Sequence, residues 1–158
     1  MDSTSVCQQL ASALQSRQWM MATAESCTGG MIAARCTDLS GSSNWFERGF
    51  VTYSNAAKTE LLGVPATLIA LHGAVSEAVA QAMAQGAVQR SPVQASVAVT
   101  GIAGPNGGSA DKPVGTVWLA WSVDGSLSSE RVVFAGDRAH VREATVQYAL
   151  QGLLSRLK

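Results

Sequence analysis

Charge is what this sequence has least of. Asp, Glu, Lys and Arg make up 14% of its 158 residues, against about 25% in an average soluble domain. The 11 basic and 11 acidic side chains cancel. No net basic surface exists to hold a nucleic acid, and no one-sided charge favours disorder. Histidine is limited to His72 and His140, far apart in sequence, which argues against a histidine-rich metal site. The three cysteines, Cys7, Cys27 and Cys36, are odd in number and never spaced C-x-x-C. Reduced thiols in a cytoplasmic protein are the simplest reading. The longest uncharged run, Ser91 to Ala110, carries Pro92, Pro105 and four glycines, so it does not read as a membrane helix. Met1-Asp2-Ser3-Thr4-Ser5 has neither a basic nor an apolar leader region, and no secretory signal is expected. A cytoplasmic protein without membrane or nucleic-acid partners is the expectation.

Hydrophobic residues, by contrast, reach 47%. A chain of this length buries about two-thirds of its unfolded surface, so one domain over 1–158 is expected. Val6, Leu10, Ala13 and Leu14 fall at helical spacing and predict a helix over about 4–17. A short apolar run from Trp19 to Ala24 suits a buried strand. Glu25-Ser26-Cys27-Thr28-Gly29-Gly30 then reads as a tight turn, and Met31-Ile32-Ala33-Ala34 as the start of a helix. A second strand is expected over 45–54, and a short helix over 55–62, stopped by Gly63 and Pro65. Ser76 can cap an alanine-rich helix to Gln89 that would pack closely on a sheet. A third strand over 94–100 runs into a glycine-rich turn, Gly101 to Gly108. Strands over 114–123 and 128–135 are joined by the hairpin signal Asp124-Gly125. A last helix starts near Asp137. Alternation followed by a hairpin predicts an α/β fold: a three-layer α/β/α sandwich around a mixed, mostly parallel sheet.

Ser26 sits between a strand and a helix start, where unpaired N–H groups and the helix dipole can hold a phosphate or an oxyanion. The local pattern of Ser26, like that of Thr28, also reads as a plain N-cap, a place where these residue types are strongly favoured. Cys27 is a competing nucleophile, its thiol acidified by a helix start, or a small buried residue. A serine needs a base, and neither histidine has a triad setting. A lysine serves if it is neutral. Lys58, one of only three lysines, follows Val51-Thr52-Tyr53-Ser54-Asn55-Ala56-Ala57 at a second strand-to-helix passage. Such passages gather at the carboxyl ends of parallel strands, where ligands bind. A Ser–Lys dyad and a solvated helix lysine are both open. Thr100-Gly101-Ile102-Ala103-Gly104 matches neither the P-loop nor G-x-G-x-x-G; close approach to a small ligand and a surface loop are its two readings. Arg138 can clamp a phosphate or pair with Asp137 or Glu143. Glu25 and Asp137 could form a carboxylate pair, though nothing in the sequence places them together.

Taken jointly, Ala24-Glu25-Ser26-Cys27-Thr28-Gly29-Gly30, Gly49-Phe50-Val51-Thr52-Tyr53-Ser54-Asn55 with Lys58, His72-Gly73-Ala74-Val75-Ser76-Glu77, Thr100-Gly101-Ile102-Ala103-Gly104-Pro105, Lys112-Pro113-Val114-Gly115-Thr116-Val117 and Gly136-Asp137-Arg138 resemble the competence/damage-inducible CinA C-terminal domain family. The resemblance runs from about residue 20 to 145. It points to the stand-alone branch, which hydrolyses the carboxamide of nicotinamide mononucleotide (NMN) to nicotinate mononucleotide and ammonia in pyridine-nucleotide recycling. The N-terminal domain of longer members is expected to be absent, and its pyrophosphatase activity is not expected. The resemblance implies Ser26 as nucleophile, Lys58 as its base and Tyr53 as a hydrogen-bonding support. It implies Thr100 as a substrate contact or dyad-positioning group and Arg138 as the phosphate holder, with Asn55, Gly101 and Gly104 at the substrate. Thr28, Gly29 and Gly30 are the expected oxyanion turn. No metal or cofactor is implied, and a homodimer or higher homo-oligomer is. A non-catalytic nucleotide-binding module and an amidase for another small substrate are the competing readings.

Overall fold

The computed structural model describes residues 2–158; Met1, the first residue of the N-terminal stretch read above, lies outside them. The elements are α1 (Ser3–Ser16), β1 (Met21–Glu25), α2 (Met31–Thr37), β2 (Phe46–Val51), α3 (Asn55–Leu62), α4 (Ala66–His72), α5 (Glu77–Gln89), β3 (Ala95–Gly101), β4 (Thr116–Val123), β5 (Ser126–Val133) and α6 (Arg138–Arg156). Side-chain caps start most of the longer helices. Asp2 accepts from Ser5 N–H, Ser54 from Ala57 N–H, Ser76 from Val79 N–H and Asp137 from His140 N–H; each satisfies a donor that the first helical turn leaves free. Both residues of the Asp124-Gly125 connection have positive φ, 49° and 83°, as a tight hairpin turn requires.

The five strands lie in the order β2-β1-β3-β4-β5. β1 pairs in parallel with β2 and β3, and the β3–β4 and β4–β5 pairs are antiparallel. Four strands therefore run one way and only β4 runs against them, although parallel and antiparallel pairings are equal in number. Strand residues alternate between the faces. Met21, Val97, Val99, Leu119 and Trp121 face Val6, Leu10, Leu14, Ile32, Leu150 and Leu153 of α1, α2 and α6. Ala22, Ala24, Ala98 and Ala120 face Val79, Ala80, Met83 and Ala84 of α5, with Leu62 and Ile69 of α3 and α4. Small residues on this second face let α5 lie close to the sheet, and Ser96 Oγ reaches the Ala84 carbonyl at 2.8 Å.

Two expectations are corrected. The second strand ends at Val51, not Ser54, because its partner β1 ends at Glu25, the residue paired with Val51. The Thr52 N–H makes a last bond to the Glu25 carbonyl, 2.8 Å, and the chain turns away. Helix α4 was not foreseen. It has seven residues, and only Ile69 is buried, so no periodic stripe marks it.

The connection from β1 to β2 passes through α2 on one face. The connection from β2 to β3 passes through α3, α4 and α5 on the other. The two leave in opposite directions and open a crevice at the carboxyl ends of β1 and β3, where open α/β sheets bind ligands.

Helix α5 approaches α3 through Gly86. A Cβ there would lie 2.1 Å from the Leu62 carbonyl oxygen. Gly86→Ala is expected to lower unfolding stability by about 1–3 kcal/mol, read as a drop in Tm, despite the better helix propensity of alanine.

Candidate active site

Ser26 is the first residue beyond β1, and its N–H still bonds the Val99 carbonyl of β3 at 3.1 Å. The sheet therefore positions the serine. The chain then reverses through a Ser26–Gly29 turn, and Gly29 and Gly30 take φ of 57° and 105°, values that favour glycine. Lys58 comes from the second turn of α3, on its inward face with Leu62. It is 1% exposed, which excludes the solvated reading. Its Nζ lies 2.9 Å from Ser26 Oγ and 3.1 Å from each of the Thr52 and Tyr53 carbonyls. None of the ion pairs among the described residues involves Lys58. Burial pushes its pKa below the ordinary 10.5, with Cys27 acting in the opposite sense. A neutral amine donates two hydrogens and keeps one lone pair. In the structure Lys58 Nζ donates to Ser26 Oγ, and Ser26 Oγ donates to the Tyr53 carbonyl at 3.4 Å; a neutral amine with its two hydrogens on the carbonyls would instead turn its lone pair to the Ser26 hydroxyl.

Ser26 and Lys58 line a cavity of about 230 Å³, together with Cys27, Tyr53, Asn55, Thr100, Gly101 and Arg138. Ala74, Val75 and Ala103 complete the lining. The first two were not singled out as site residues. Their signal is Thr100, whose hydroxyl donates to the Ala74 carbonyl at 2.9 Å and ties the segment before α5 to the end of β3. Thr100 makes no hydrogen bond to the dyad. The Arg138 guanidinium donates to the Gly104 carbonyl at 2.9 Å and to the Tyr53 hydroxyl at 3.4 Å. It is not paired with Asp137, which caps α6, nor with Glu143, which pairs with Arg35. Gly104 thus holds Arg138 without lining the cavity.

Tyr53 meets Lys58 and Ser26 through its main chain. Its phenol, on a residue 63% exposed, faces Arg138 rather than the dyad, and it is the main-chain carbonyl that holds Lys58. Thr28, Gly29 and Gly30 do not line the cavity. Thr28 is fully buried, and its hydroxyl donates to Glu25 Oε1 at 2.5 Å. The N–H groups of Ile32 and Ala33 donate to the same carboxylate at 2.9 and 3.0 Å. The start of α2, expected to receive an anion from outside, is occupied by Glu25 from within. Glu25 and Asp137 cap separate helices and form no pair. The Cys27 thiol is not acidified: burial pushes it up to about 11, so it is a poor nucleophile beside Ser26.

The CinA C-terminal domain profile matches residues 3–157. The chain belongs to the CinA C-terminal domain family. This CinA C-terminal domain is 58% identical over 132 residues to the nicotinamide-nucleotide amidohydrolase PncC of Pseudomonas putida, covering 84% of this chain and 82% of that protein. It is 55% identical over 134 residues to a CinA-like protein of Akkermansia muciniphila, covering 84% of this chain and 32% of the relative. The chain therefore spans about a third of that longer protein's length. The crystal structure of competence/damage inducible protein CihA from Agrobacterium tumefaciens superposes with a TM-score of 0.97 at 42% identity, over 100% of this chain and 97% of that one.

The buried lysine of this CinA C-terminal domain leaves a mark on stability. Between its lowered folded pKa and 10.5, the unfolded chain holds one proton more than the folded one, so stability rises with pH. Below the folded pKa the cost of burying the charge is present in full. Lys58→Met removes this dependence. The stability of wild type relative to Lys58→Met should therefore increase as pH rises towards 10.5, as measured by denaturant unfolding across that range.

Proposed function

We propose that this CinA C-terminal domain hydrolyses the carboxamide of NMN to nicotinate mononucleotide and ammonia through a Ser26–Lys58 dyad and an acyl-enzyme, acting as a single unit over 1–158. The observation that carries the reading is the 2.9 Å approach of a buried, ion-pair-free amine to a serine hydroxyl in the lining of the cavity. The PncC name of close relatives supports the substrate.

An amide is a poor electrophile with a poor leaving group, and an acyl-enzyme divides the difficulty in two. Lys58 takes the Ser26 proton as Oγ attacks the carboxamide carbon. The oxyanion meets the N–H group of Cys27, which lines the cavity and for which the described residues supply no backbone acceptor; an N–H group beside a nucleophile is well suited to this role. Lys58 returns the proton to nitrogen, the C–N bond breaks, and ammonia leaves. Water then attacks the ester and gives a proton to Lys58, which passes it back to Ser26 as the acid departs. The cationic pyridinium ring draws electrons from the carbonyl. Arg138, the one basic side chain besides Lys58 in the lining, holds the phosphate, with Asn55 and the Tyr53 phenol at the mouth. No cofactor enters the scheme.

The reading places the protein in pyridine-nucleotide recycling in the cytoplasm, a compartment that suits three free, buried cysteines. It also takes the chain to be a homodimer or higher homo-oligomer, for which exposed Val51, Leu61 and Leu71 supply apolar surface.

Ammonia release from NMN should fall by at least about a hundredfold in Ser26→Ala and in Lys58→Met, with folding retained by circular dichroism. Near-normal turnover in Ser26→Ala defeats the dyad. Because the base must be neutral, kcat/KM should rise with pH through an apparent pKa below 10.5. Arg138→Ala should raise KM for NMN by about tenfold or more. An unchanged KM would point to a substrate without a phosphate.

A further inference from the structure

Glu25 is a fully buried carboxylate that the proposed chemistry does not use. It is the last residue of β1, immediately before Ser26, and its side chain reaches past the turn to the start of α2. The N-cap position of α2 is Gly30, which has no side chain to offer. Glu25 caps the helix instead. One oxygen accepts from Thr28 Oγ1 and Ile32 N–H, and the other accepts from Ala33 N–H. Main chain and side chain of one residue thus bracket the segment 26–30 that carries the nucleophile. The helix dipole and three donors compensate the buried charge.

The same residue also reaches the other half of the dyad. Its carbonyl accepts the Thr52 N–H at 2.8 Å, and the Thr52 carbonyl in turn accepts from Lys58 Nζ at 3.1 Å. From the opposite side, Arg142 of α6 donates to the Cys27 and Thr28 carbonyls at 3.0 and 3.3 Å. The turn is gripped between Glu25 and Arg142, and neither residue lines the cavity.

We infer that Glu25 is the positioning residue of the dyad: by closing the 26–30 turn and anchoring Thr52, it sets the distance and direction between Ser26 Oγ and Lys58 Nζ. The inference deepens the proposed amidohydrolase reading and rests on it. A displacement of about 1 Å at a reacting atom costs on the order of a hundredfold in rate, so a residue that touches no substrate can govern kcat. A plain helix cap would alter stability and leave kcat alone.

The test compares wild type, Glu25→Gln, Thr28→Val and Thr28→Ser as full chains. Two rates are measured: NMN deamidation, and labelling of Ser26 by a fluorophosphonate, which reads the nucleophile without NMN. In Glu25→Gln, kcat should fall by about tenfold or more and labelling should slow in parallel, with KM within about twofold of wild type. Thr28→Val should show a smaller loss of the same kind, and Thr28→Ser, which keeps the hydroxyl, should recover it. Folded Glu25→Gln with both rates near wild type, or with a change in KM alone, overturns the inference. If Glu25→Gln does not fold, Thr28→Val decides: unchanged kcat and labelling in that variant overturn it. A wild type that labels at Ser26 but releases no ammonia from NMN defeats the substrate reading, and the labelling rates still decide the role of Glu25.

Discussion

A lysine amine taken out of water with no carboxylate beside it is the constraint on which the site depends. Removing an ammonium from solvent costs several kcal/mol unless a partner charge compensates, and the cheaper course is to shed the proton. Among the described residues, the hydrogen-bond partners of Lys58 Nζ are uncharged oxygens: two main-chain carbonyls of its own passage and the Ser26 hydroxyl. The same contacts that satisfy the buried nitrogen fix it against Ser26 Oγ. The electrostatics that would make it a base and the geometry that would make it useful are thus one arrangement.

The fold supplies that arrangement through the order of its strands. β1 lies between β2 and β3, so the turns that follow all three open at one end of the sheet. Ser26 is held by β3 through Val99, and Lys58 is delivered by α3 after β2 has ended in step with β1. The alanine face of the sheet matters here too. It lets α5 settle close, with α3 against α5 at Gly86, so the helix that carries Lys58 is backed by a packed layer. Arg138 comes from the far end of the chain, at the start of α6, and is fixed by the Gly104 carbonyl and the Tyr53 hydroxyl.

Much of this was legible beforehand because it is local. Ser76 caps the helix assigned to it, the last helix starts beside Asp137, the Asp124-Gly125 hairpin forms, and the apolar stripe of α1 faces the sheet. Ser26 and Lys58 could be paired on paper since each follows a strand, and parallel strands share a ligand-binding end. What was not legible has a different character. The hold of Tyr53 on Lys58 comes from its carbonyl, and main-chain groups are the same in every residue. Thr28 to Gly30 looked like an open anion site because Glu25 is five residues away from the cap it supplies. Helix α4 has too short a buried stripe to announce itself.

The sequence by itself determined most of the elements, the Ser76 cap, the layer architecture and the residue types able to do acyl chemistry, since these depend on periodicity and on contacts within a few positions. Only the tertiary structure decided which donors are spent and which are free. It set Glu25 against the start of α2, turned the Tyr53 phenol outward, raised the Cys27 thiol by burial and left Lys58 dry without a counter-charge. Each of those outcomes depends on what another element removes from water at that point, and burial is a property of the assembled layers that no single stretch of chain encodes.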